Sequence, residues 1–290
     1  MLNKKIENYL YKKYKNHFGK YMRLSSKPFI SGDTFRKCCD HIFDETSKFN
    51  VNKVKFNDYI FVKSDYLSVF FKDFHPHIVN KYNLISHNSD ESINREYIKF
   101  IDEKIINWYA QNIEENFSEK LKFIPIGLEN RWHLKNGKIK NYKNILKRPI
   151  EKKYLLHASF STSTHISRKK VFDIIKSNNY LKFNQSNRNT DYLETLAKSY
   201  FNICPRGNGW DTHRIWESFI FKTIPIVENN KFTKILVENN IPLLVIDEWQ
   251  KLNEISQTDL LDFYKNIIEN QDLAKFSTFD FWEKIIKFKN

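Results

Sequence analysis

The sequence YFNICPRGNGWDTHRIWESF, residues 200–219, leads from a strand into a helix through a glycine-rich loop. Tyr200–Cys204 predicts a buried strand, Gly207-Asn208-Gly209 a loop, and Thr212–Phe221 a helix that Asp211 can cap. A strand, a glycine loop and a helix N-terminus in this order form an anion site, because free backbone N–H groups and the helix dipole converge there. The stretch therefore predicts one unit of a doubly wound α/β domain with an anionic ligand.

Strand and helix patterns alternate on both sides of this stretch, which predicts an α/β chain with parallel sheets. The other predicted strands are Tyr59–Lys63, Asn83–His87, Ile106–Ala110, Lys122–Ile126, Tyr154–His157, Ile224–Val227 and Leu243–Ile246. The other predicted helices are Tyr66–Phe71, Ile93–Ile101, Arg168–Lys176 and Phe279–Phe288. We expect two Rossmann-like domains that face each other across a cleft.

The polar, lysine-rich stretch Leu134–Lys153 is the predicted domain connection. It divides the chain into an N-terminal domain, residues 1–150, and a second domain, residues 151–275. Residues 276–290 are expected to form a helix that packs back on the N-terminal domain. Residues 1–22 predict a helix that packs on its own domain, with a membrane-surface helix as the alternative.

Composition excludes several classes of protein. The 290 residues contain no apolar run near the roughly 20 needed to span a bilayer, and the N-terminus lacks the apolar core of a signal peptide. The three cysteines suggest no disulfide framework or zinc site, so we expect a soluble protein of a reducing, cytoplasmic compartment.

The net charge of +14 raises nucleic-acid binding as an alternative. However, 39 of the 48 basic residues are lysines scattered along the chain, which indicates a compositional bias instead.

The glycine-rich loop has arginine as its cation, although lysine is abundant elsewhere. Arg206 and Arg214 lie in the interval between Lys198 and Lys222, which contains no lysine. Their planar guanidinium groups suit bidentate contacts to phosphate. Glu217, three residues after Arg214, could accept hydrogen bonds from ribose hydroxyls, or form an ion pair with Arg214. The loop is neither a dinucleotide fingerprint nor a P-loop.

At these residues the sequence resembles the exostosin-like glycosyltransferases. It is most similar to the compact enzymes of bacteria and large algal DNA viruses, xylosyltransferases among them, which would place a viral protein in the host cytoplasm. The C-terminal part of the resemblance runs from Cys204 to Glu217 and continues through Thr223-Ile224-Pro225-Ile226-Val227. The N-terminal part consists of residues 28–36 (PFISGDTFR), 87–90 (HNSD), 108–112 (WYAQN) and 126–130 (IGLEN).

The resemblance implies a GT-B fold, a nucleotide-diphospho-sugar donor that is usually UDP-linked, no cofactor or metal, and inversion at the anomeric carbon. Residues 1–150 would be the acceptor domain and residues 151–275 the donor domain. Arg206 and Arg214 would then bind the diphosphate and Glu217 the ribose. The other predicted donor-binding residues are Gly207, Asn208, Gly209, Asp211, Thr212, Ser161, Thr162 and Arg168. The absence of an Asp-x-Asp motif argues against the other major glycosyltransferase fold, which usually holds a metal with such a pair.

An inverting transfer needs one base to deprotonate the acceptor hydroxyl. Asp90 is the first candidate because it follows a strand and should open onto the cleft; alternatively it caps a helix before Ile93. Asp33 is the second candidate. The predicted acceptor-binding residues are Ser31, Gly32, Arg36, His87, Asn88 and Glu129, of which His87 and Glu129 are further candidates for the base.

The function expected from the sequence is transfer of a sugar, with xylose as one candidate, from a UDP-sugar to a hydroxyl of a glycan, for example one on a glycoprotein. The first alternative keeps the fold and takes a GDP-sugar or another donor. The second is a nucleic-acid-binding protein, and the third a module that binds donor without catalysis.

Overall fold

A computed structural model describes residues 23–133, 136–183 and 189–288. The helix expected within residues 1–22 lies outside the described residues, and so do residues 134 and 135 of the predicted domain connection. Among the helices that are described, none combines the length and the apolar character that crossing a bilayer requires.

The first half of the chain forms a parallel five-stranded sheet in the order β1-β2-β3-β4-β5. Its strands are β1 (His41–Phe43), β2 (Asp58–Lys63), β3 (Tyr82–His87), β4 (Ile105–Ala110) and β5 (Leu121–Phe123). The three inner strands are mostly buried on both faces, as their nearly continuous apolar sequences require. Because all strands are parallel, their carboxyl ends lie at one edge of the sheet.

The second half forms another parallel five-stranded sheet, in the order β10-β9-β8-β6-β7. Its strands are β6 (Tyr154–Ala158), β7 (Leu181–Phe183), β8 (Ser199–Ile203), β9 (Ile224–Glu228) and β10 (Leu244–Ile246). The chain reverses its direction of progress across the sheet between β6 and β8, and ligands of doubly wound sheets bind at such a point. The two parallel sheets confirm the predicted α/β fold with two Rossmann-like halves.

The α-helices connect the strands and cover the sheets. They are α1 (Gly32–Lys37), α2 (Leu67–Val69), α3 (Ile139–Leu146), α4 (Ile166–Ile175), α5 (Asn189–Ala197), α6 (His213–Ile220), α7 (Lys231–Glu238), α8 (Gln257–Asn270) and α9 (Phe279–Ile286). Helical segments of other types lie at Val51–Lys53, Ser64–Tyr66, Phe70–Phe74, His75–His77, Arg95–Phe100, Trp249–Asn253 and Leu273–Ser277.

Several elements differ from the sequence prediction. The helix expected over Ile93–Ile101 is a 3-10 helix, Arg95–Phe100, and its N-cap is Asn94. The strand expected over Lys122–Ile126 ends at Phe123, because the N–H of Ile126 bonds to a side chain of the other half instead of a neighbouring strand. The three-residue strands β1 and β7 lie at sheet edges and were not predicted.

One hydrophobic core extends through both halves, and helix α9 lies within it. Trp282 of α9 packs against Phe123 of β5 and Trp216 of α6, with ring centroids 5.9 and 6.1 Å away. The hydroxyl of Tyr59 donates to the carbonyl of Ile286 at 2.7 Å. The last helix thus contacts the first sheet.

Helix α3, inside the predicted connection, packs on the second half. Tyr142 stacks on Phe221 with ring centroids 6.0 Å apart, and Ile139 and Ile145 are buried in the same cluster. The domain boundaries proposed from the sequence, at residues 150 and 275, stay predictions.

Candidate active site

A cleft of about 350 Å³ opens where the carboxyl edge of the first sheet meets the N-terminus of α6. Its walls include His87 at the end of β3, Gln111 after β4, and Ile126 after β5. The second half contributes His213, the first residue of α6. Loops that follow parallel strands commonly bind ligands, so this position is the one expected for a reaction site.

Asn112 and Asp211 join the two halves at the cleft. The side-chain oxygen of Asn112 accepts the N–H of Asp211 at 2.8 Å, and Asp211 in turn accepts the N–H of Ile126 at 2.7 Å. The other oxygen of Asp211 accepts Nε1–H of Trp216 at 2.8 Å. Burial of Asp211 raises the pKa of its carboxyl from 3.8 to about 7, against these hydrogen bonds.

The sequence suggested that Asp211 caps α6. Asp211 instead connects the two halves and is not the cap of this helix. The N-cap of α6 is Thr212, whose side chain makes no capping bond. Its hydroxyl is buried without a hydrogen-bond partner among the described residues. Gly209 lies so close to Asn112 that a Cβ at this position would be 2.7 Å from the amide nitrogen. The glycine is required here by contact with the other half.

Asp90 lies in the cleft with an exposed carboxylate. It accepts a hydrogen bond of 3.3 Å from the side-chain amide of Asn208, which belongs to the glycine-rich loop. The adjacent helical segment is capped by Asn94, so the alternative role of Asp90 as that cap is not realised. The first base candidate is thus accessible and within reach of the loop of the second half.

Asp33 is part of a closed ring of hydrogen bonds beneath the cleft. Its N–H donates to Asn130 at 2.8 Å, the amide of Asn130 donates to Asn88 at 2.9 Å, and the amide of Asn88 donates back to Asp33 at 3.0 Å. Burial raises the pKa of the Asp33 carboxyl, although Arg23 opposes the shift. A Cβ on Gly32 would be 1.7 Å from the side-chain oxygen of Asn88. The second base candidate is buried and orders three loops.

The remaining acceptor-binding candidates divide into buried and accessible groups. Ser31 caps α1, and Arg36 is buried in a 2.7 Å ion pair with Asp44. Nε2 of His87 bonds to a backbone carbonyl and its Nδ1 accepts the N–H of Asn88, while burial lowers the pKa of the imidazole to about 4. Glu129 lines the cleft with a partly exposed carboxylate.

Three arginines gather around the glycine-rich loop. Arg168 is buried, and its guanidinium donates to the backbone carbonyls of Arg206, at 2.7 Å, and Pro205 and Ser161, at 3.4 Å. Arg214 donates from Nε to the carbonyl of Ser159 at 2.6 Å. Burial, and secondarily Arg214, lowers the pKa of Arg168 to about 10.

Arg206 lies over the ring of Trp210, 3.7 Å from its centroid, and donates to the carbonyl of Asn208 at 2.9 Å. In the described part of the chain, none of the three arginines has a carboxylate within 4 Å. A buried or half-buried guanidinium without a carboxylate partner is costly, so this cluster is prepared for an anion.

Ser161 and Thr162 are exposed in the loop between β6 and α4, beside these arginines. His165 caps α4, and partial burial together with Arg206 and Arg168 lowers the pKa of its imidazole. The electropositive region therefore extends from the glycine-rich loop to the start of α4.

Glu217 is buried and does not pair with Arg214. Its two carboxylate oxygens accept the hydroxyls of Tyr142 at 2.8 Å and Tyr192 at 2.6 Å. Its role at the ribose stays a prediction, and the observed contacts hold α3 and α5 against α6.

A second cavity of about 210 Å³ lies beside the arginines. It is lined by the glycine-rich loop through Arg206 and Trp210, and by Glu228 and Asn230 after β9. Burial raises the pKa of the Glu228 carboxyl, against a hydrogen bond from Trp249. A carboxylate at the end of a strand beside an anion site was not identified from the sequence.

Sequence reasoning also missed His213. Nδ1 of His213 donates to the carbonyl of Gly127 at 2.7 Å, and its Nε2 is 3.7 Å from a carboxylate oxygen of Glu129. Gly127 has φ of +67°, and a Cβ there would be 2.6 Å from the carbonyl oxygen of Ile30. The only signal in the sequence was the position of His213 between the glycine-rich loop and Arg214.

Comparison with known proteins agrees with the resemblance seen in the sequence. Residues 151–279 match the family model described as RXYLT1 C-terminal domain, a xylosyltransferase-like domain. A comparison with curated proteins finds no significant match.

Similar solved structures include an α1,3-fucosyltransferase, at 14% identity and a TM-score of 0.43, over 90% of this chain and 84% of that one. A UDP-forming α,α-trehalose-phosphate synthase from Burkholderia xenovorans is 8% identical with a TM-score of 0.47, over 81% and 74% of the two chains.

Proposed function

We propose that the chain is a glycosyltransferase of the exostosin and xylosyltransferase-like type, which transfers a sugar from a UDP-linked donor to a hydroxyl of a glycan acceptor. The proposed transfer inverts the anomeric carbon and needs no metal. Xylose is the first sugar to test, since the matching domain is xylosyltransferase-like, and a glycan on a glycoprotein is the proposed acceptor.

The observation that carries this proposal is the arginine cluster. Arg168, Arg206 and Arg214 surround the loop before α6, and each donates to backbone carbonyls. A diphosphate would supply the missing negative charge, and charge-assisted bonds from guanidinium to phosphate are strong. The N-terminus of α6 adds its dipole to the same region. Three fixed cations can stabilise the leaving diphosphate, which is the usual task of a metal in other enzymes of this kind.

The cavity beside Arg206 is the proposed place for the nucleoside. Glu228 can accept the ribose hydroxyls there, a role that the sequence had given to Glu217. The indole of Trp210 is already covered on one face by Arg206. The proposal therefore places the diphosphate between the two cavities and the sugar towards the cleft.

The acceptor is proposed to bind in the cleft at the end of the first sheet. Its hydroxyl would attack the anomeric carbon from the side opposite the diphosphate, and a group in the cleft must take the proton. Asp90 ranks ahead of Asp33 for this step, because Asp90 is exposed in the cleft and Asp33 is buried beneath it.

Calorimetry with UDP in excess EDTA tests the donor proposal. We expect UDP to bind without metal and more tightly than GDP. Stabilisation against heat should follow, by about 2.7 kcal/mol at a hundredfold excess over Kd. A panel of nucleotide sugars should show slow hydrolysis, fastest for UDP-xylose if the sugar assignment is correct.

Two outcomes contradict the proposal. Binding that disappears in EDTA and returns with Mn²⁺ would exclude the metal-independent site, and preferential binding of GDP would move the donor to the alternative class. Binding of oligonucleotides that falls steeply with salt, in the absence of UDP binding, would instead favour the nucleic-acid function.

A further inference from the structure

His213 is a partly exposed side chain of the cleft that one short hydrogen bond orients. Its Nδ1 is 2.7 Å from the carbonyl oxygen of Gly127. A carbonyl oxygen can only accept, so Nδ1 carries the proton and the neutral ring has its lone pair on Nε2. Gly127 is itself fixed by contact with Ile30 and by an antiparallel bridge to Ser31.

Nε2 of His213 faces the cleft beside a carboxylate. It is 3.7 Å from Oε1 of Glu129, and both side chains are partly exposed, His213 to 30% and Glu129 to 24%. This separation is too long for a direct hydrogen bond, and an ionised carboxylate has no proton to donate, so the lone pair of Nε2 stays available to accept a proton. It is short enough for the carboxylate to stabilise a positive charge on the ring.

We propose that His213 is the group that removes the proton of the attacking hydroxyl, with Gly127 orienting the ring and Glu129 stabilising the imidazolium. A base whose second nitrogen is held by a third group is the usual arrangement of an activated nucleophile. This inference rests on the proposed function and deepens it.

The chemical step balances as a single displacement. A lone pair of the acceptor oxygen forms the new bond to the anomeric carbon, and the bond from that carbon to the diphosphate oxygen breaks with its electrons. The hydroxyl proton passes to Nε2 of His213 and is later released to solvent. The diphosphate leaves as an anion beside Arg214, the residue that follows His213 in α6.

The other candidates meet fewer of these requirements. Both ring nitrogens of His87 are already hydrogen-bonded. Asp33 is buried in the ring of amides. Asp90 is accessible, but its carboxylate is oriented by a longer hydrogen bond, of 3.3 Å, from the side chain of Asn208. His213 therefore ranks ahead of Asp90.

The test is His213→Asn, because the asparagine amide can replace Nδ1–H in the bond to Gly127 while removing Nε2. The substrate is the nucleotide sugar that the wild-type protein hydrolyses fastest, with either water or azide as the acceptor. Water must lose a proton as it attacks, whereas azide is already an anion and needs no base. His77→Asn, the same change at an exposed residue outside the cleft, is the matched control.

We expect His213→Asn to lose hydrolysis by roughly 10²–10⁴-fold, the usual contribution of a general base. Transfer to azide and the affinity for UDP should stay within about threefold of wild type. Glu129→Gln should show a smaller loss of hydrolysis with the same rescue by azide, and His77→Asn should match wild type.

Three results would overturn the inference. Hydrolysis by His213→Asn at the wild-type rate excludes His213 as the base, and a parallel loss of the azide reaction makes its role structural. If Asp90→Asn shows the loss that azide rescues and His213→Asn does not, the base is Asp90. Absence of UDP binding and of hydrolysis in the wild-type protein would instead refute the proposed function itself.

Discussion

Arg214 is tethered by its Nε to the carbonyl of Ser159, and no described residue accepts a hydrogen bond from its two terminal nitrogens. We expect Arg214→Ala to weaken UDP binding by about 10- to 100-fold. This corresponds to about 1.5–3 kcal/mol, the usual worth of a hydrogen bond to a charged group. Lys234→Ala removes the same charge from an exposed position of α7 and should change the affinity less than twofold. Calorimetric titration of both variants at equal ionic strength makes the comparison.

Equal losses in Arg214→Ala and Lys234→Ala would mean that overall positive charge, and not a specific site, attracts the nucleotide. Arg214→Lys adds a second distinction. It keeps the charge but lacks the fork that spans Ser159 and a phosphate, so an affinity near wild type would exclude bidentate binding.

The sequence identified the residues of the glycine-rich loop but not their partners. Arg206, Gly207 and Arg214 could be named because strand, glycine loop and helix follow one another along the chain. The roles of Asn112 and His213 depend on the approach of the other half, which no local pattern encodes. The alternative ion pair of Glu217 with Arg214 does not form, because its carboxylate accepts hydrogen bonds from two tyrosines of distant helices.

Among the elements, helix α9 makes a measurable contribution to stability. Trp282 is 2% exposed and contacts rings from both halves. Trp282→Ala should therefore destabilise the protein by about 3–5 kcal/mol, the range for removing a buried aromatic ring. Ile285 lies on the same helix at 42% exposure, and Ile285→Ala should cost less than about 1 kcal/mol. Urea unfolding of the two variants measures both values, and similar losses would show that the helix does not depend on the tryptophan contact.

The predicted elements were most accurate where the sequence pattern was long and apolar. β2 and β3 lie within one residue of the predicted ranges, because buried parallel strands read as continuous apolar runs. The failures concern short or irregular segments. β1 and β7 have three residues each, and Arg95–Phe100 has a helical periodicity without the length or buried face of an α-helix.

At the scale of the whole molecule, three buried groups with large pKa shifts contribute to the way in which stability depends on pH. Burial lowers the pKa of His87 and His157 from 6.5 to about 4 and raises that of Asp211 from 3.8 to about 7. Between pH 6.5 and 4 the unfolded chain binds two protons at the histidines that the folded chain excludes. The folded chain keeps one at Asp211 that the unfolded chain loses. The net difference is one proton, bound by the unfolded chain. These three groups should therefore lower the stability by about 1.4 kcal/mol for each unit by which the pH is lowered.

Single variants should change this slope in opposite directions. His157→Asn removes one of the two protons, so the slope of stability against pH should become shallower by about 1.4 kcal/mol per unit. Asp211→Asn removes the opposing group, so the slope should become steeper by about the same amount. Urea unfolding at pH 4.5, 5.5 and 6.5 gives the three slopes, and the same slope in all three proteins would contradict this account.

The position of α9 also has a consequence for synthesis on the ribosome. β2 is synthesised before most of the chain. The hydroxyl of Tyr59 in β2 nevertheless donates to the carbonyl of Ile286, which lies more than two hundred residues later in the sequence. Trp282 must likewise leave the ribosome before it can pack against Phe123 of β5. Although domains commonly fold as they are synthesised, here the first sheet is expected to remain partly open while the second half is translated. A nascent chain stalled before α9 should therefore be cleaved by protease within its first half. A chain stalled after α9 has emerged from the ribosome should be protected.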